Sequence, residues 1–592
     1  MNEYNIAERL TERATQSPEQ IAIAEPLFKG KRPLRDKDGK RKYKTITFEE
    51  LDSDSNKIAA ALQKFGVVKG MRLALMVRQG IDFISLVFAL YKTGATLVLI
   101  DPGMGVKRML VCLRDAKLDG FVGIPQAQIA RVLYSRWFPN AKYNLTVGRR
   151  LFWRGLSLSE IRALPDATPS DPHTELDDPA AIIFTSGSTG VAKGVLYTYR
   201  MFKTQVEQIV ERLKIQPGEI DLVGFPFFGL FDAGMGATAV IPDMDTTRPA
   251  SVDPALFLEA ADDWKITQSF GSPALWNRVV DYCLERNRKI PSLKRAVIAG
   301  APVRFELLEK FRRVLTEDAE IITPYGATES LPLASVESRE VLRETAQRTK
   351  RGEGVCVGQF FPPPLQTKII PITDDPIKYL EDLPEVPQGE IGELLVSGPQ
   401  ASPGYVTRTE ANALSLVHDA SGRVWRRVGD VGWIDERNRF WFCGRKSHRV
   451  ETPTGPLFSI PCEAISNASA KVFRSALAGA ALPVDFQAPP DAELSDRARR
   501  FRSVWRLPVM VVEPYSAERP KTARERDALV AEILELLSRS PITRTITTVL
   551  ICDSFPVDVR HNAKINRELL SEWATAKLSG KTIPLENAPI KG

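Results

Sequence analysis

Residues 182–194 contain the residue types that could bind a phosphate group. An apolar run at 182–184 leads directly into hydroxyl side chains and glycines, and the segment closes on Lys193 and Gly194. Glycines let backbone amides approach an anion closely, hydroxyls add hydrogen-bond donors, and a lysine adds positive charge. The spacing is not that of a Walker loop, which has four residues between its glycines and a hydroxyl after the lysine. We interpret the segment as a phosphate-binding loop of another kind, with a flexible surface turn as the alternative.

Two further segments place small and polar residues at the ends of predicted strands. Residues 297–302 and residues 321–330 each have the pattern of a buried strand. The first ends in Gly300, Ala301 and Pro302, and the second carries Tyr325, Gly326, Ala327, Thr328 and Glu329. Ligands of open α/β sheets bind in the crevice at the carboxyl ends of the strands. The sequence therefore predicts a ligand crevice at these two strand ends.

The elements that must position these residues alternate between strands and helices. This alternation predicts an α/β fold with a mixed sheet covered by helices on both faces. Thr47 and Glu50 have the spacing of a capping box, and a polar linker at 164–178 leads into the loop. The predicted strands are 21–24, 72–77, 95–100 and 120–123, and the predicted helices are 5–14, 47–65, 81–92, 106–116 and 202–213.

The last third of the chain predicts a change of architecture. Strands at 389–396 and 439–443 form a β region with a helix at 410–416 between them. Residues 451–461 are predicted to be rich in loops, and helices at 522–538 and 565–578 flank strands at 509–512 and 548–551. We therefore predict a large domain of mixed sheets and a β region at 1–445, a hinge at 445–447, and a small mobile α+β lid domain at 446–592.

Length and composition exclude several classes of protein. A chain of 592 residues is too long for one core, and 43% hydrophobic with 26% charged residues is ordinary for a globular protein. The net charge of +7 is the difference between 80 basic and 73 acidic residues, so it does not indicate nucleic-acid binding. Six scattered cysteines and an N-terminus without an apolar segment predict a reduced, cytoplasmic protein. The apolar region 83–100 is interrupted by Lys92 and Gly94, so no transmembrane segment is expected.

Two clusters of residues each allow two interpretations. Residues 29–44 contain nine Lys and Arg residues around Asp38 and Gly39, and we favour a solvated hairpin over a membrane or partner surface. Residues 225–232 contain four phenylalanines, with a proline and a glycine that predict a turn. These rings would either pack in the core or line a cavity for an apolar ligand.

Taken together and in this order, the motifs resemble those of the adenylate-forming superfamily, which contains acyl-CoA synthetases, luciferases and peptide-synthetase adenylation domains. The resemblance covers nearly the whole chain. It rests on an ordered series at 185–194, 300–302, 325–329, 354–358, 429–430 and 444–445, with Lys564 near the end.

The resemblance implies a role for each matched position, with ATP and Mg²⁺ as cofactors. Lys193 would hold the β and γ phosphates together with Thr185, Ser186, Gly187, Ser188, Thr189 and Gly190. Tyr325 and Gly326, with Gly300, Ala301 and Pro302, would bracket adenine, and Asp430 and Arg445 would hold the ribose. Thr328 would contact phosphate, and Glu329 would bind the metal. Lys564 would be a mobile catalytic cation that bridges a substrate carboxylate and the α-phosphate, where negative charge builds up.

Within the superfamily the chain is most similar to the OleC-type β-lactone synthetases of bacterial long-chain olefin biosynthesis, at residues 241–249, 444–452 and 555–565. This likeness implies adenylation of a 2-alkyl-3-hydroxy fatty acid, whose own 3-hydroxyl then closes a β-lactone with release of AMP and pyrophosphate. A hydroxyl already on the substrate removes the need for a second substrate. The candidate wall for the alkyl chains comprises Phe225, Phe227, Phe228, Phe231, Gly271, Ser272 and Trp276.

Departures from the family pattern leave some roles open. Ala192 replaces a common proline, and Tyr197 and Tyr199 stand where histidines are frequent. His448 and His561 are candidate bases for the 3-hydroxyl, and neither is assigned. A long-chain acyl-CoA ligase or acyl-AMP ligase is the first alternative, and a non-catalytic nucleotide sensor is disfavoured by the complete set of motifs. Assembly with other olefin-pathway enzymes is implied by the resemblance alone.

Overall fold

The computed structural model describes residues 5–30, 32–185, 192–225, 228–384, 386–490, 493–557, 565–581 and 585. Within these residues the strands form a central sheet of fourteen strands, an N-terminal sheet of seven and a C-terminal sheet of three. Two short hairpins, Phe28–Lys29 with Arg32–Pro33 and Val450–Thr452 with Gly455–Leu457, stand apart from these sheets. The predicted α/β class is confirmed.

The central sheet has a parallel half and an antiparallel half. The parallel strands are, in spatial order, Ile21–Pro26, Thr238–Val240, Ile220–Val223, Gln268–Gly271, Arg295–Ile298 and Glu320–Ala327, with Tyr43–Thr47 antiparallel at the outer edge. The antiparallel half continues with Ser330–Glu337, Val355–Phe360, Arg439–Arg445, Val424–Ile434, Gly392–Ser397 and Gln366–Ile370, and Leu416–His418 pairs with Val424–Ile434. The two halves meet where Glu320–Ala327 turns back through Thr328 and Glu329 into Ser330–Glu337.

The N-terminal sheet carries at its edge the two strands that flank the predicted phosphate-binding loop. Its order is Gly194–Thr198, Pro179–Phe184, Thr96–Leu99, Arg72–Met76, Gly120–Gly123, Tyr143–Thr146 and Leu156–Ser157. The first two strands form an antiparallel pair, and the others run parallel to their neighbours. The strand predicted before the loop is therefore confirmed, and a second strand returns directly after it.

Helices cover the sheets. The sequence predicted the capping signal at the start of the helix Phe48–Lys64. Thr47 and Glu50 form the predicted capping box, with hydrogen bonds of 2.9 and 3.2 Å between the backbone of each and the side chain of the other. The helices are Ile6–Gln16, Phe48–Lys64, Ile81–Lys92, Val106–Asp115, Pro125–Leu133, Leu158–Arg162, Tyr199–Leu213, Phe228–Met235, Pro254–Trp264, Pro273–Glu285, Phe305–Val314, Ser338–Glu340, Ala346–Lys350, Asn412–Ser415, Ser459–Ser466, Asp496–Arg500, Ala523–Ser538 and Arg567–Leu578. In the described residues, none of these helices combines the length and apolarity needed to cross a bilayer.

The aromatic segment 225–232 differs from its prediction. Residues from Phe228 onward form the helix Phe228–Met235, not a turn. A Cβ added to Gly229 would lie 3.1 Å from Val223, so this glycine lets the helix pack closely on a strand and does not mark a turn.

The region after Arg445 contains the predicted helices and strands at 509–551 and 565–578, although residues 451–461 were wrongly predicted to be loop-rich. They form all but the first residue of the hairpin Val450–Thr452 with Gly455–Leu457, and the start of the helix Ser459–Ser466. Gly455, at φ +120°, makes the tight turn, and Pro461 is tolerated because it lies in the first helical turn, where amides have no intrahelical acceptor. The sheet beside them contains Val472–Ala480, Leu507–Pro514 and Thr548–Ile551.

The basic segment 29–44 forms the predicted hairpin. Arg35 and Arg41 face each other across a turn in which the Asp36 carboxylate accepts hydrogen bonds of 2.9 Å from the amides of Asp38 and Lys40. Both arginines pair with Glu259, and Arg41 also pairs with Asp243. Part of the charge of this segment is therefore used inside the fold.

Candidate active site

Three residues predicted to contact the nucleoside come together from three strands of the central sheet. Asp430 lies directly opposite Arg445 in the pairing of Val424–Ile434 with Arg439–Arg445. Its two carboxylate oxygens accept a hydrogen bond of 2.6 Å from Arg445 and one of 2.5 Å from the Tyr325 hydroxyl. We call Tyr325, Asp430 and Arg445 the ribose-end triad. The structure brings the three together, and their contacts to a nucleotide remain a prediction.

The electrostatics of the ribose-end triad are internally balanced. The Asp430 carboxylate raises the pKa of Arg445, so the guanidinium stays charged. Burial, followed by the Asp430 charge, raises the pKa of Tyr325 well above its ordinary value, so the phenol stays protonated and donates. The single negative charge of the triad is therefore matched by one cation and one neutral donor.

A second group lies around the ring of Tyr405 and contains the predicted phosphate and metal residues. The Tyr405 hydroxyl donates a hydrogen bond of 2.6 Å to Glu329, which is 9% exposed. The Lys193 ammonium lies 4.8 Å from the centre of the Tyr405 ring, and the Arg426 guanidinium lies 4.3 Å from it. Both cations are within the range of attraction to an aromatic face. We call Lys193, Glu329, Tyr405 and Arg426 the phosphate-end cluster.

Arg426 is the unusual member of this cluster. Its side chain is 1% exposed, and within the described residues its three guanidinium nitrogens have no hydrogen-bond acceptor. A buried cation without an acceptor costs several kcal/mol of desolvation by order of magnitude. An anionic ligand bound beside it would recover part of that energy.

The charge around Lys193 is predominantly positive. Burial lowers the pKa of Lys193, Glu329 raises it, and Arg426 and Arg445 lower it further. Glu410 also raises the pKa of Lys193, as the smallest of these effects, so Glu329 is the main carboxylate opposing the cations at the phosphate end. This arrangement suits a polyanion such as the triphosphate of ATP.

The predicted loop residues are anchored at the base of the loop. Thr185 and Lys193 are joined by two hydrogen bonds, of 3.0 Å from the Thr185 amide and of 3.2 Å from the Lys193 amide. The strand Gly194–Thr198 is bonded on its other side to residues 404–406, through a bridge between Val195 and Tyr405. The loop base and the Tyr405 ring therefore belong to one hydrogen-bonded unit.

Thr328 and the remaining adenine-site residues lie close to these groups in the sheet. The Thr328 carbonyl accepts a hydrogen bond of 2.7 Å from the buried hydroxyl of Tyr197. Gly300, Ala301 and Pro302 follow the strand Arg295–Ile298, which is parallel to the strand that carries Tyr325 and Gly326. Gly300 has φ +92°, a conformation that favours glycine.

Several predicted site residues lie outside the described part of the chain. They are Ser186, Gly187, Ser188, Thr189, Gly190, Phe227 and Lys564, together with the candidate base His561. The side chain of Phe228 is likewise outside it.

The structure divides the predicted alkyl-chain wall into core and strand-end residues. Trp276 is fully buried, with its ring centre 4.5 Å from Phe311, and Phe231 is packed in another core cluster. Ser272 caps the helix Pro273–Glu285, and Gly271 ends the preceding strand. Phe225 is only partly buried and lies 5.6 Å from Phe270, at the carboxyl ends of two parallel strands. Of these residues, Phe225 is placed best to face a ligand.

The donor set fits a magnesium ion that is held mainly by its substrate. In the part of the chain described, no group of three or more His, Cys, Asp and Glu side chains could hold a metal ion by itself. Mg²⁺ is commonly bound by one or two carboxylates together with phosphate oxygens and water, and Glu329 could supply one such carboxylate.

His448 lies at the predicted hinge and is held neutral. Burial, and then the charges of Arg567 and Arg445, lower its pKa to about 3. All six cysteines are buried and free, as the prediction of reduced thiols requires.

Sequence reasoning missed Tyr405 and Arg426. Arg426 precedes Asp430 by four residues in one strand, and residues at even spacing share a face of a sheet. That spacing could have identified Arg426, had the strand Val424–Ile434 been predicted.

Two solved structures share the fold of this chain. The amide bond synthetase McbA from Marinactinospora thermotolerans aligns with a TM-score of 0.74 at 18% identity, covering 96% of this chain and 99% of the other. The O-succinylbenzoate coenzyme A synthetase MenE from Bacillus subtilis, in complex with ATP and magnesium ion, aligns with a TM-score of 0.68 at 18% identity, covering 94% and 98%.

A sequence relative matches over nearly the same length. An olefin beta-lactone synthetase from Xanthomonas campestris pv. campestris is 41% identical over 576 residues, which cover 96% of this chain and 97% of the relative. The family model of AMP-binding enzymes matches residues 10–406. The chain therefore belongs to the family of AMP-binding enzymes.

Proposed function

We propose that this chain is an ATP-dependent, AMP-forming ligase that converts a 2-alkyl-3-hydroxy fatty acid into a β-lactone, within olefin biosynthesis. The observation that carries the proposal is 41% identity, over nearly the full length of both chains, to a protein named olefin beta-lactone synthetase. The phosphate-end cluster and the ribose-end triad supply groups that the first step of such a reaction needs.

In the first step the substrate carboxylate attacks the α-phosphorus of ATP, a new C–O–P linkage forms, and pyrophosphate leaves. Negative charge grows on phosphate oxygens during this step, so positive charge matters more than an acid or a base. Lys193 and Arg426 would supply that charge on the β and γ side, and Lys564 on the α side. Magnesium, held in part by Glu329, would neutralise phosphate charge when bound.

In the second step the substrate's 3-hydroxyl attacks the acyl carbonyl. A ring C–O bond forms, the bond between the acyl carbon and the phosphate oxygen breaks, AMP leaves with that electron pair, and the hydroxyl gives up its proton. Holding the hydroxyl beside the carbonyl replaces a second substrate. Exclusion of water protects the adenylate from hydrolysis. Phe225 would line the entrance for the alkyl chains.

Movement of residues 446–592 against residues 1–445 would bring Lys564 to the nucleotide. At the proposed boundary, Lys446 donates a hydrogen bond of 3.0 Å to the carbonyl of Thr373 and pairs with Glu393 at 3.1 Å. Arg304 donates a hydrogen bond of 3.0 Å to the carbonyl of Phe473 across the same boundary. Arg449 pairs with Asp374, and Arg500 pairs with Asp375, across the same boundary. These polar contacts would have to break and re-form during such a movement.

We also propose a cytoplasmic location and a transfer of substrate from another enzyme of the pathway. Six free, buried cysteines suit a reducing compartment. A long-chain hydroxy acid dissolves poorly in water, so delivery by a partner would raise its local concentration.

Mass spectrometry of the product tests the proposal. Purified protein would be incubated with ATP, Mg²⁺ and a 2-alkyl-3-hydroxy fatty acid, in parallel with and without coenzyme A, with the matched acid lacking the 3-hydroxyl as control. We expect a product lighter than the substrate by one water, formed without coenzyme A and absent with the control acid. A coenzyme A thioester formed from both acids would instead identify an acyl-CoA ligase.

A further inference from the structure

One surface of the N-terminal sheet region combines exposed apolar side chains with uncompensated positive charge. We define the apolar–basic surface by six exposed residues: Ile129, Leu133, Tyr134, Trp137, Leu151 and Phe152. Leu133 and Phe152 are 74% and 75% exposed, which is exceptional for side chains of this size. A single exposed apolar residue needs no explanation, whereas a group of six does.

Four of these residues lie in or directly after one helix, and the other two lie on a loop near its start. In the helix Pro125–Leu133, Ile129 and Leu133 are four residues apart and share a face, and the following turn Ser135–Trp137 continues it. At the other end, a Cβ added to Gly148 would lie 3.9 Å from the ring of Pro125, which places the loop carrying Leu151 and Phe152 beside the start of the helix. A nine-residue helix is about 13 Å long, so a single flat partner could contact both ends.

The charge of this region has one sign. Residues 121–159 contain six basic residues and no Asp or Glu. Arg150 pairs with Glu160 at 2.7 Å, just beyond this range. The other basic residues have no ion pair among the residues that the structure describes; they are Arg131, Arg136, Lys142, Arg149 and Arg154. The surface is therefore complementary to a partner with dense negative charge.

The basic hairpin at 29–44 shows that charge alone does not make such a surface. Its Arg41 is buried and pairs with Glu259 and Asp243, and its Arg35 pairs with Glu259 at the surface. The arginines at 131–154 are instead interspersed with protruding aromatic and aliphatic side chains. Tyr and Trp at the level of lipid headgroups, with Arg beside them, form the usual contact of a protein that lies on an anionic bilayer.

We infer that the apolar–basic surface docks the protein on an anionic phospholipid bilayer. Leu133 and Phe152 would enter the boundary between headgroups and acyl chains, and the arginines would contact lipid phosphates. The structural argument for this docking is independent of the proposed function, but its biological use rests on that function. A long-chain 2-alkyl-3-hydroxy acid partitions into bilayers, and the docked protein would collect it there.

Vesicle co-sedimentation of the full chain tests the inference. We expect binding to vesicles of phosphatidylcholine with phosphatidylglycerol, and much weaker binding to phosphatidylcholine alone. The double variant Leu133→Ser, Phe152→Ser should reduce binding by about tenfold or more. Arg149→Gln with Arg154→Gln should reduce it by about tenfold at low salt and by less at high salt.

The matched control removes the same charge elsewhere. Lys37→Gln with Lys40→Gln, on the exposed basic hairpin, should leave vesicle binding unchanged. ATP–pyrophosphate exchange with a water-soluble acid should be unchanged in all three variants, so a failure of the proposed function would be seen separately. Wild-type protein that stays in the supernatant with anionic vesicles would overturn the inference. The inference would also be overturned if the only effect of the apolar double variant were a loss of self-association, measured by sedimentation velocity. That result would make the surface an interface between copies of the chain.

Discussion

The two ends of the candidate nucleotide site differ in how their charges are balanced. At the ribose end, both oxygens of Asp430 already have donors, from Tyr325 and Arg445. At the phosphate end, Lys193 and Arg426 lie against the ring of Tyr405, whose hydroxyl donates a hydrogen bond to the Glu329 carboxylate. The donors and acceptor of the ribose end thus already satisfy one another, whereas the phosphate end would be completed by an anionic ligand.

This difference predicts two kinds of variant. Removing a group from the ribose end breaks an existing network and should reduce stability as well as binding. Removing a cation from the phosphate end removes the desolvation cost of burying that cation. Such a variant should therefore bind ATP less tightly without losing stability. The four predictions below test this distinction, beginning with the largest expected effect.

Lys564→Ala should reduce ATP–pyrophosphate exchange by at least about a hundredfold while leaving ATP affinity within about threefold of wild type. The reason is that Lys564 would stabilise negative charge that develops only while the adenylate forms. The phosphate-end cluster would instead bind ATP before the reaction begins. Exchange kinetics and calorimetric titration with ATP would measure the two effects. The exposed Lys577→Ala, on the helix Arg567–Leu578, is the matched control. Unchanged exchange in the Lys564 variant would remove this residue from the mechanism.

Asp430→Asn should weaken ATP binding strongly and lower the free energy of unfolding by about 2 kcal/mol. The variant leaves the Arg445 guanidinium without its carboxylate partner. Urea denaturation and ATP titration would be compared with Asp496→Asn, which removes one carboxylate from an exposed ion pair with Arg499. A loss of binding with full stability would contradict the idea of a preformed ribose end.

Arg426→Leu should weaken ATP binding by about tenfold while leaving the free energy of unfolding unchanged or raising it by about 1 kcal/mol. Its neighbour Arg427 provides the contrast, because it forms a buried pair with Glu393 at 2.7 Å. Arg427→Leu should therefore destabilise the fold by about 3 kcal/mol. Equal destabilisation in both variants, measured by urea denaturation, would show that Arg426 has a structural partner after all.

The pH dependence of stability should change slightly in Lys193→Met. Burial lowers the pKa of Lys193 in the folded state below its ordinary value of 10.5. Below the folded pKa, folding must bury a charged ammonium, and this penalty disappears as the pH rises between the folded and the unfolded pKa. The wild type should therefore gain stability relative to the variant over that alkaline window, while its ATP affinity falls. Parallel unfolding curves of the two proteins at all pH values would contradict the prediction.

Local signals predicted much of the fold and part of the site. The capping box of Thr47 and Glu50 and the strand before the phosphate loop depend on neighbouring residues, and both are confirmed. Tyr325, Asp430 and Arg445 were selected by motif, and the structure brings them together.

The parts that were missed depend on distant contacts. Arg426 and Tyr405 become notable only when the antiparallel half of the central sheet places them beside Lys193 and Glu329. The helix Phe228–Met235 was obscured because Gly229 serves close packing against Val223, a contact that local turn rules do not contain. Contacts between segments far apart in sequence decided the cases of Arg426 and Tyr405, and the packing of a helix on the preceding strand decided the case of Gly229.

The bridge between Val195 and Tyr405 has a mechanical consequence. Residues 404–406 are hydrogen-bonded directly to the strand that follows the loop, and the Tyr405 hydroxyl is hydrogen-bonded to Glu329. A displacement of the loop would therefore be transmitted to the carboxylate proposed for magnesium. Departure of pyrophosphate would then weaken the contacts of the loop and of Glu329 together. Release of pyrophosphate and release of its magnesium ion would therefore be a single event.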